Sequence, residues 1–227
     1  MRFIKKQGIL FFLIVLFAHC VFIYLGMDIA RIVSKLLLLP ILALYLLASA
    51  TKSGNPVSRL VYFGLLFSFL GDLLLTQSGE TFFLLGMLAF IGTHVCNGIY
   101  FLKLQSISIR NGKASSLAAI ILFLITLVVF SVLNPYLGNF QLPILVYMVI
   151  ISCMAILAAN TESAPSLKKI ALQCFIPGAA LFVLSDAILA MNKFLFHQPM
   201  LDIAVMLSYG GAQYFLVSGF VQRPSNK

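Results

Sequence analysis

Residues 63–75 read FGLLFSFLGDLLL, and residues 177–189 read PGAALFVLSDAIL. Each is an apolar run that holds one carboxylate, Asp72 or Asp186. Burying a carboxylate in hydrocarbon is costly, so an acidic side chain on a membrane-crossing helix faces a bundle interior or a wet cavity. The two runs therefore point to an all-α polytopic membrane protein and mark where its chemistry is to be sought.

Composition agrees with that reading. Of 227 residues 62% are hydrophobic and 9% are charged, against about 25% charged in a soluble domain. Apolar segments of about 18 residues or more, the length that crosses a bilayer core, recur along the chain. They predict eight transmembrane helices at 8–26, 32–51, 60–77, 82–103, 115–133, 140–159, 170–191 and 201–221. The breakers KSGNPVSR, TQSGE, QSISIRNGK, NPYLGN, TESAPS and NKFLFHQP separate the later spans. All these connectors are short, so residues 1–227 read as a single integral membrane domain.

Basic loops stay on the cytoplasmic side. Arg2, Lys5, Lys6, Lys52, Arg59, Lys103, Arg110, Lys113, Lys168, Lys169, Arg223 and Lys227 fall at the termini and in alternate loops. Of the 15 basic residues only Arg31, Lys35 and Lys193 fall toward the other side. Both termini are therefore expected in the cytoplasm. Topology and contact with anionic membrane lipids account for the net charge of +9, and no nucleic-acid partner is needed to explain it. The start, MRFIKKQGILFFLIVLFAHC, has the basic and apolar regions of a signal peptide. Its apolar core runs on to about Gly26, however, and it is read as the first span.

Cys20, Cys96, Cys153 and Cys174 lie on four different spans without a CxxC or a His/Cys cluster. They read as small apolar core residues rather than as a disulfide framework or a zinc site. Phe is the dominant aromatic, with 21 copies and no Trp. Most are expected in packing or against lipid, with a minority free to line a tunnel for a hydrocarbon chain.

Setting Asp72 over Asp186 also matches Gly64 with Gly178, Leu70 with Leu184 and Leu75 with Leu189. Both segments are third in their half of four spans. That pattern suggests two parallel four-helix repeats, with the aspartates meeting at their interface; convergent low-complexity hydrophobicity would give the same matches. On the third span Gly64, Ser68, Asp72 and Thr76 share one face by helical spacing. Further polar groups sit at similar depth: His94 and Asn97 on the fourth span, Tyr147 on the sixth, and Asp202, Tyr209 and Gln213 along the eighth. Lys35, Asn192 and Lys193 lie near the outer ends of their spans. Taken singly, each has a plain structural reading as an interhelical hydrogen-bonding group, an interfacial tyrosine or a snorkelling lysine.

The stretches LLFSFLGDLLL, GMLAFIGTHVCNGIYF, PGAALFVLSDAILAMNKF and LSYGGAQYFLVSG together resemble the YhhN-like lysoplasmalogenase family. The resemblance runs over essentially the whole chain and includes Lys35, Pro40 and Tyr147. One departure is the LLLL that separates Lys35 from Pro40, where the family pattern tends to join Lys directly to Pro. The resemblance implies an eight-span enzyme that hydrolyses the vinyl ether bond of lysoplasmalogens. A lysophospholipid is thus the implied substrate, a fatty aldehyde and glycerophosphoethanolamine or glycerophosphocholine the products. No metal or organic cofactor is implied.

That chemistry suits the residues. A vinyl ether is protonated at carbon, water captures the oxocarbenium ion, and the hemiacetal collapses. Desolvation and a neighbouring carboxylate both favour the neutral form of a carboxylic acid, so a close pair can hold one proton ready at neutral pH. The second carboxylate can stabilise the cation, as paired carboxylates do at glycosidic bonds. Asp72 and Asp186 are the expected catalytic pair. His94, Tyr209 and Gln213 are expected around them, and Asn192, Lys193 and Lys35 at the headgroup phosphate. A proton-coupled transporter would use the same paired acids, and a non-catalytic lipid-binding protein could pair them with lysines. A compact chain of this kind suits a bacterial inner membrane.

Overall fold

A computed structural model describes residues 2–53, 57–108 and 112–222. Arg110, Arg223 and Lys227 of the charge pattern lie outside the described residues, as do the side chains of Arg2, Lys5, Lys6 and Lys52. The protein is all-helical, 90% helix, with no strand among the described residues. It is an integral membrane protein. The helices are α1 (Arg2–Tyr24), α2 (Asp28–Ser53), α3 (Arg59–Leu74), α4 (Glu80–Leu104), α5 (Lys113–Leu137), α6 (Gln141–Asn160), α7 (Lys168–Phe196) and α8 (Pro199–Gln222). Among the described residues six helical stretches are long and apolar enough to cross a membrane. One of them, Lys113–Ser163, holds both α5 and α6. The 16 residues of α3 fall short of the roughly 20 that cross a bilayer core unaided.

Local chemistry sets the ends of these helices. The Ser58 hydroxyl caps α3 by accepting from the Leu60 amide. Gly79, at φ 112°, makes the turn into α4 in a conformation that side chains resist. Pro177 lacks an N–H, and α7 runs through it as the span 170–191 predicts. The wider turn Ala171–Phe175 precedes the proline and takes up the missing hydrogen bond and the ring. A second wide turn, Asn192–Phe196, ends α7 at His197, which is left-handed at φ 53°.

Sequential helices form the hairpins α1/α2, α3/α4 and α7/α8. Across the bundle α4 packs on α6, while α8 touches α1 and α2 as well as α7. Helix α8 is thus the most enclosed, and α5 lies outermost against α6. Rings fill the interior in three tiers. Tyr100, Phe101, Phe175 and Phe220 occupy one end; Phe90, Phe182, His94, Tyr147 and Tyr209 the middle; Phe83, Phe140 and Phe194 the other.

The cysteines divide in a way their apolarity does not predict. Cys20 and Cys174 are buried, but Cys153 is exposed on α6, so it faces lipid rather than core. The thioether-like softness of a thiol is tolerated in either setting.

Candidate active site

The polar face of α3 does turn inward. Gly64, Ser68 and Asp72 are buried, and Thr76 is half-buried at the turn. Gly71 allows this, because a Cβ there would stand 2.6 Å from the Phe90 ring on α4. With the glycine in place the ring packs closely against α3 at the residue before Asp72.

Asp72 receives two partners from distant helices. The Tyr209 hydroxyl on α8 donates to its Oδ2 at 2.7 Å, and Lys35 Nζ on α2 stands 3.5 Å from Oδ1. Asp186 on α7 also has two. The Tyr147 hydroxyl on α6 donates to its Oδ2 at 2.5 Å, and His94 Nε2 on α4 is 3.4 Å from the same oxygen. His94 Nε2 is also 3.0 Å from the Tyr147 hydroxyl, which closes a triangle of His94, Tyr147 and Asp186.

The two settings share a plan. Each aspartate takes one partner from the helix before its own, Lys35 from α2 or Tyr147 from α6. Each takes another from the last helix of the opposite four, Tyr209 from α8 or His94 from α4. Between the two constellations stands Phe182, edge-on to His94 at 4.7 Å and to Tyr209 at 5.6 Å. Phe90 closes the gap, 5.9 Å from Tyr209. Aromatic rings thus pack between the two constellations, and each carboxylate is oriented by its own phenol.

A hydrogen-bonded layer lies one turn deeper. Gln213 donates to Ser68 at 3.1 Å, Ser68 meets Thr93 at 3.0 Å, and Thr93 donates to the Gly64 carbonyl at 3.1 Å. Gln213 therefore reaches Asp72 indirectly, through Ser68 on α3 and through Tyr209 on its own helix. Asn97 faces Gly64, its Oδ1 3.1 Å from where a Cβ would stand, and touches neither aspartate.

At the end of the bundle that carries the α1–α2, α3–α4 and α7–α8 turns, a polar cavity of about 310 Å³ opens. Arg31, Lys35, Lys193, Asp202, His19 and the turn 76–79 line it. Arg31 pairs with Asp202 at 2.7 Å. Asn192 does not line this cavity. Its amide donates to Asp202 at 2.9 Å and its carbonyl accepts from the Gln198 amide at 2.7 Å, so it ties the end of α7 to the start of α8. Lys193 also lies 5.5 Å over the Phe83 ring. Sequence reasoning passed over Arg31 and His19. Arg31 sits four residues before Lys35, a spacing that puts both cations on one helix face, and this was the available signal.

Two narrow apolar clefts lead inward. One adjoins the polar cavity, sharing Leu75, Phe83 and Leu189 as walls, and has Tyr147 and Asp186 in its own lining. The other lies among α5, α6 and α7 and reaches the same two residues from the outside. Asp72 lines none of the three spaces. Among the described residues no group of three or more His, Cys, Asp or Glu could hold a metal ion.

Comparison with known proteins adds the context for this geometry. The YhhN family model matches residues 30–220. Lysoplasmalogenase TMEM86A of Bos taurus and the Homo sapiens protein of the same name are each 28% identical over 190 residues. The match spans 81% of this chain and 76% of each relative. No solved structure matches the chain.

Proposed function

The chain belongs to the YhhN family, and on that premise we propose that it is a membrane-embedded hydrolase. Its reaction is cleavage of the vinyl ether bond of lysoplasmalogens, to a fatty aldehyde and glycerophosphoethanolamine or glycerophosphocholine. The observation that carries this reading is that each of the two intrahelical carboxylates is held by a tyrosine, Asp72 by Tyr209 and Asp186 by Tyr147, with Phe182 packed against both His94 and Tyr209.

In this mechanism one aspartate gives its proton to the β-carbon of the vinyl ether, and the π electrons move to leave an oxocarbenium ion. The second carboxylate stabilises that cation electrostatically, an effect strengthened by the dry surroundings. Water adds to the cationic carbon and returns a proton to the first carboxylate. The hemiacetal then breaks its carbon–oxygen bond, releasing the aldehyde as the glycerol oxygen takes up the hydroxyl proton. Tyr147 and Tyr209 fix the carboxylate orientations, and His94 holds Tyr147 in place. Lys35 and Lys193, together with Arg31, supply the positive field for the headgroup phosphate.

The charge distribution supports eight spans with both termini in the cytoplasm, which puts the polar cavity on the opposite side. The two-fold plan of partners supports a pair of parallel four-helix repeats, and a bacterial inner membrane suits the chain. The test is aldehyde release from lysoplasmenylethanolamine by purified protein, beside Asp72→Asn and Asp186→Asn. Release by the wild type that both variants lose supports the pair mechanism; full activity in either folded variant refutes it.

A further inference from the structure

The outermost helix is where the bundle is least closed. Helix α5 packs along α6 but meets α7 chiefly at its last turn, Asn192–Phe196. Elsewhere between α5 and α7 a cleft runs in from the protein surface. Its walls are Ile125 and Val129 of α5, Ile144 and Ile151 of α6, and Val183 and Ala187 of α7. Beside it Phe123, Leu124 and Val128 of α5 are exposed, so in a membrane the mouth of the cleft opens into lipid chains. At its inner end stand Tyr147 and Asp186.

The second apolar cleft shares Ile144, Tyr147, Asp186 and Ala190 with this one, and Leu75, Phe83 and Leu189 with the polar cavity. A series of adjoining spaces therefore leads from three cations, Arg31, Lys35 and Lys193, past Asp186, and sideways to the lipid-facing surface. Polar and cationic at one end, apolar at the other, it matches a single-chain amphiphile with an anionic headgroup. A chain leaving the bilayer for the cleft exchanges one apolar setting for another, with no water displaced, so the cleft selects by shape and length more than by affinity.

Resting on the hydrolase reading above, we infer that the α5–α7 cleft is the hydrocarbon-chain subsite. The chain is admitted sideways from the bilayer, and the carboxyl of Asp186, not that of Asp72, faces the bond to be broken. Asp186 Oδ2 is engaged by Tyr147 and His94, which leaves Oδ1 as the oxygen for the substrate. Asp72, walled off behind Tyr209 and Lys35, acts on the reaction through its charge.

The test fills the cleft from two walls, with Ala187→Phe on α7 and, separately, Ser152→Phe on α6. Each protein, in nanodiscs, is melted with and without a saturated alkyl-ether lysophosphoethanolamine of long or short chain, a probe that cannot be hydrolysed. The expected result is that both probes raise the melting temperature of the wild type. In the variants the long-chain shift is lost while the short-chain shift persists, and for vinyl-ether substrates the long-to-short ratio of kcat/KM falls by about tenfold or more. Equal shifts in wild type and variants overturn the chain subsite, as does loss of both probes together in a variant whose ligand-free melting is unchanged. Chain-selective binding by a wild-type protein that releases no aldehyde overturns the hydrolase reading instead and leaves the subsite standing.

Discussion

Tyr209 and Asp72 are 137 positions apart in the chain, yet the phenol of one donates to the carboxylate of the other at 2.7 Å in the middle of the bundle. The hydrogen bond joins α3 to α8, and Lys35 is the other polar partner of the carboxylate. A hydrogen bond to a charged group contributes about 1.5–3 kcal/mol. Tyr209→Phe is therefore expected to lower the melting temperature in detergent and to lower kcat with a smaller change in KM. A variant with wild-type kcat would remove Tyr209 from the orienting role.

The Lys35–Asp72 pair is a stricter case. Removing one partner of a buried ion pair leaves an uncompensated charge and costs about 3–5 kcal/mol, so Lys35→Met alone should be strongly destabilising. Combining it with Asp72→Asn should recover much of that loss. A double-mutant cycle followed by thermal unfolding measures the coupling; additive effects would mean that the 3.5 Å approach carries no energy.

At the second carboxylate the expected effect is on rate. Tyr147→Phe removes the 2.5 Å hydrogen bond to Asp186 and frees His94 from the triangle. Positioned acid–base groups contribute roughly 100- to 10,000-fold, and an orienting residue should cost a part of that, about tenfold or more in kcat. Steady-state kinetics with KM unchanged would support this; a change confined to KM would place Tyr147 in binding.

Packing beside Asp72 is equally open to trial. Gly71→Ala inserts a methyl group 2.6 Å from Phe90, and overpacking of this kind costs about 1–3 kcal/mol. Phe90 also touches Tyr209 and Phe182, so turnover should fall with stability. Pairing it with Phe90→Leu should relieve both. Failure of that rescue, read from melting temperature and turnover, would argue against a steric cause.

The class of fold is written plainly in the apolar runs, because a helix in lipid must satisfy its backbone internally and the side chains can then be nearly all hydrocarbon. Asp72 and Asp186 stood out for the same reason. Their partners did not, since Lys35 and Tyr209 meet Asp72 only through the order in which α2, α3 and α8 pack, and spacing along one helix carries no record of its neighbours. Arg31 was hidden differently. It reads as a topological charge, and its place in the polar cavity depends on Asp202, far along the chain. Pro177 falls within the expected span 170–191, and the wider turn before it shows how α7 continues through a residue without an N–H.

The long separation of Tyr209 from Asp72 also has a bearing on biogenesis. A ribosome adding about 5–20 residues per second needs roughly 7–30 s to make the stretch between them. Throughout that interval α3 has entered the membrane without the helix that supplies its phenol. Lys35 is made earlier, on the preceding helix, and α2 lies against α3 in the folded bundle. Of the two polar partners of Asp72, the lysine is thus synthesised before the carboxylate and the phenol long after it.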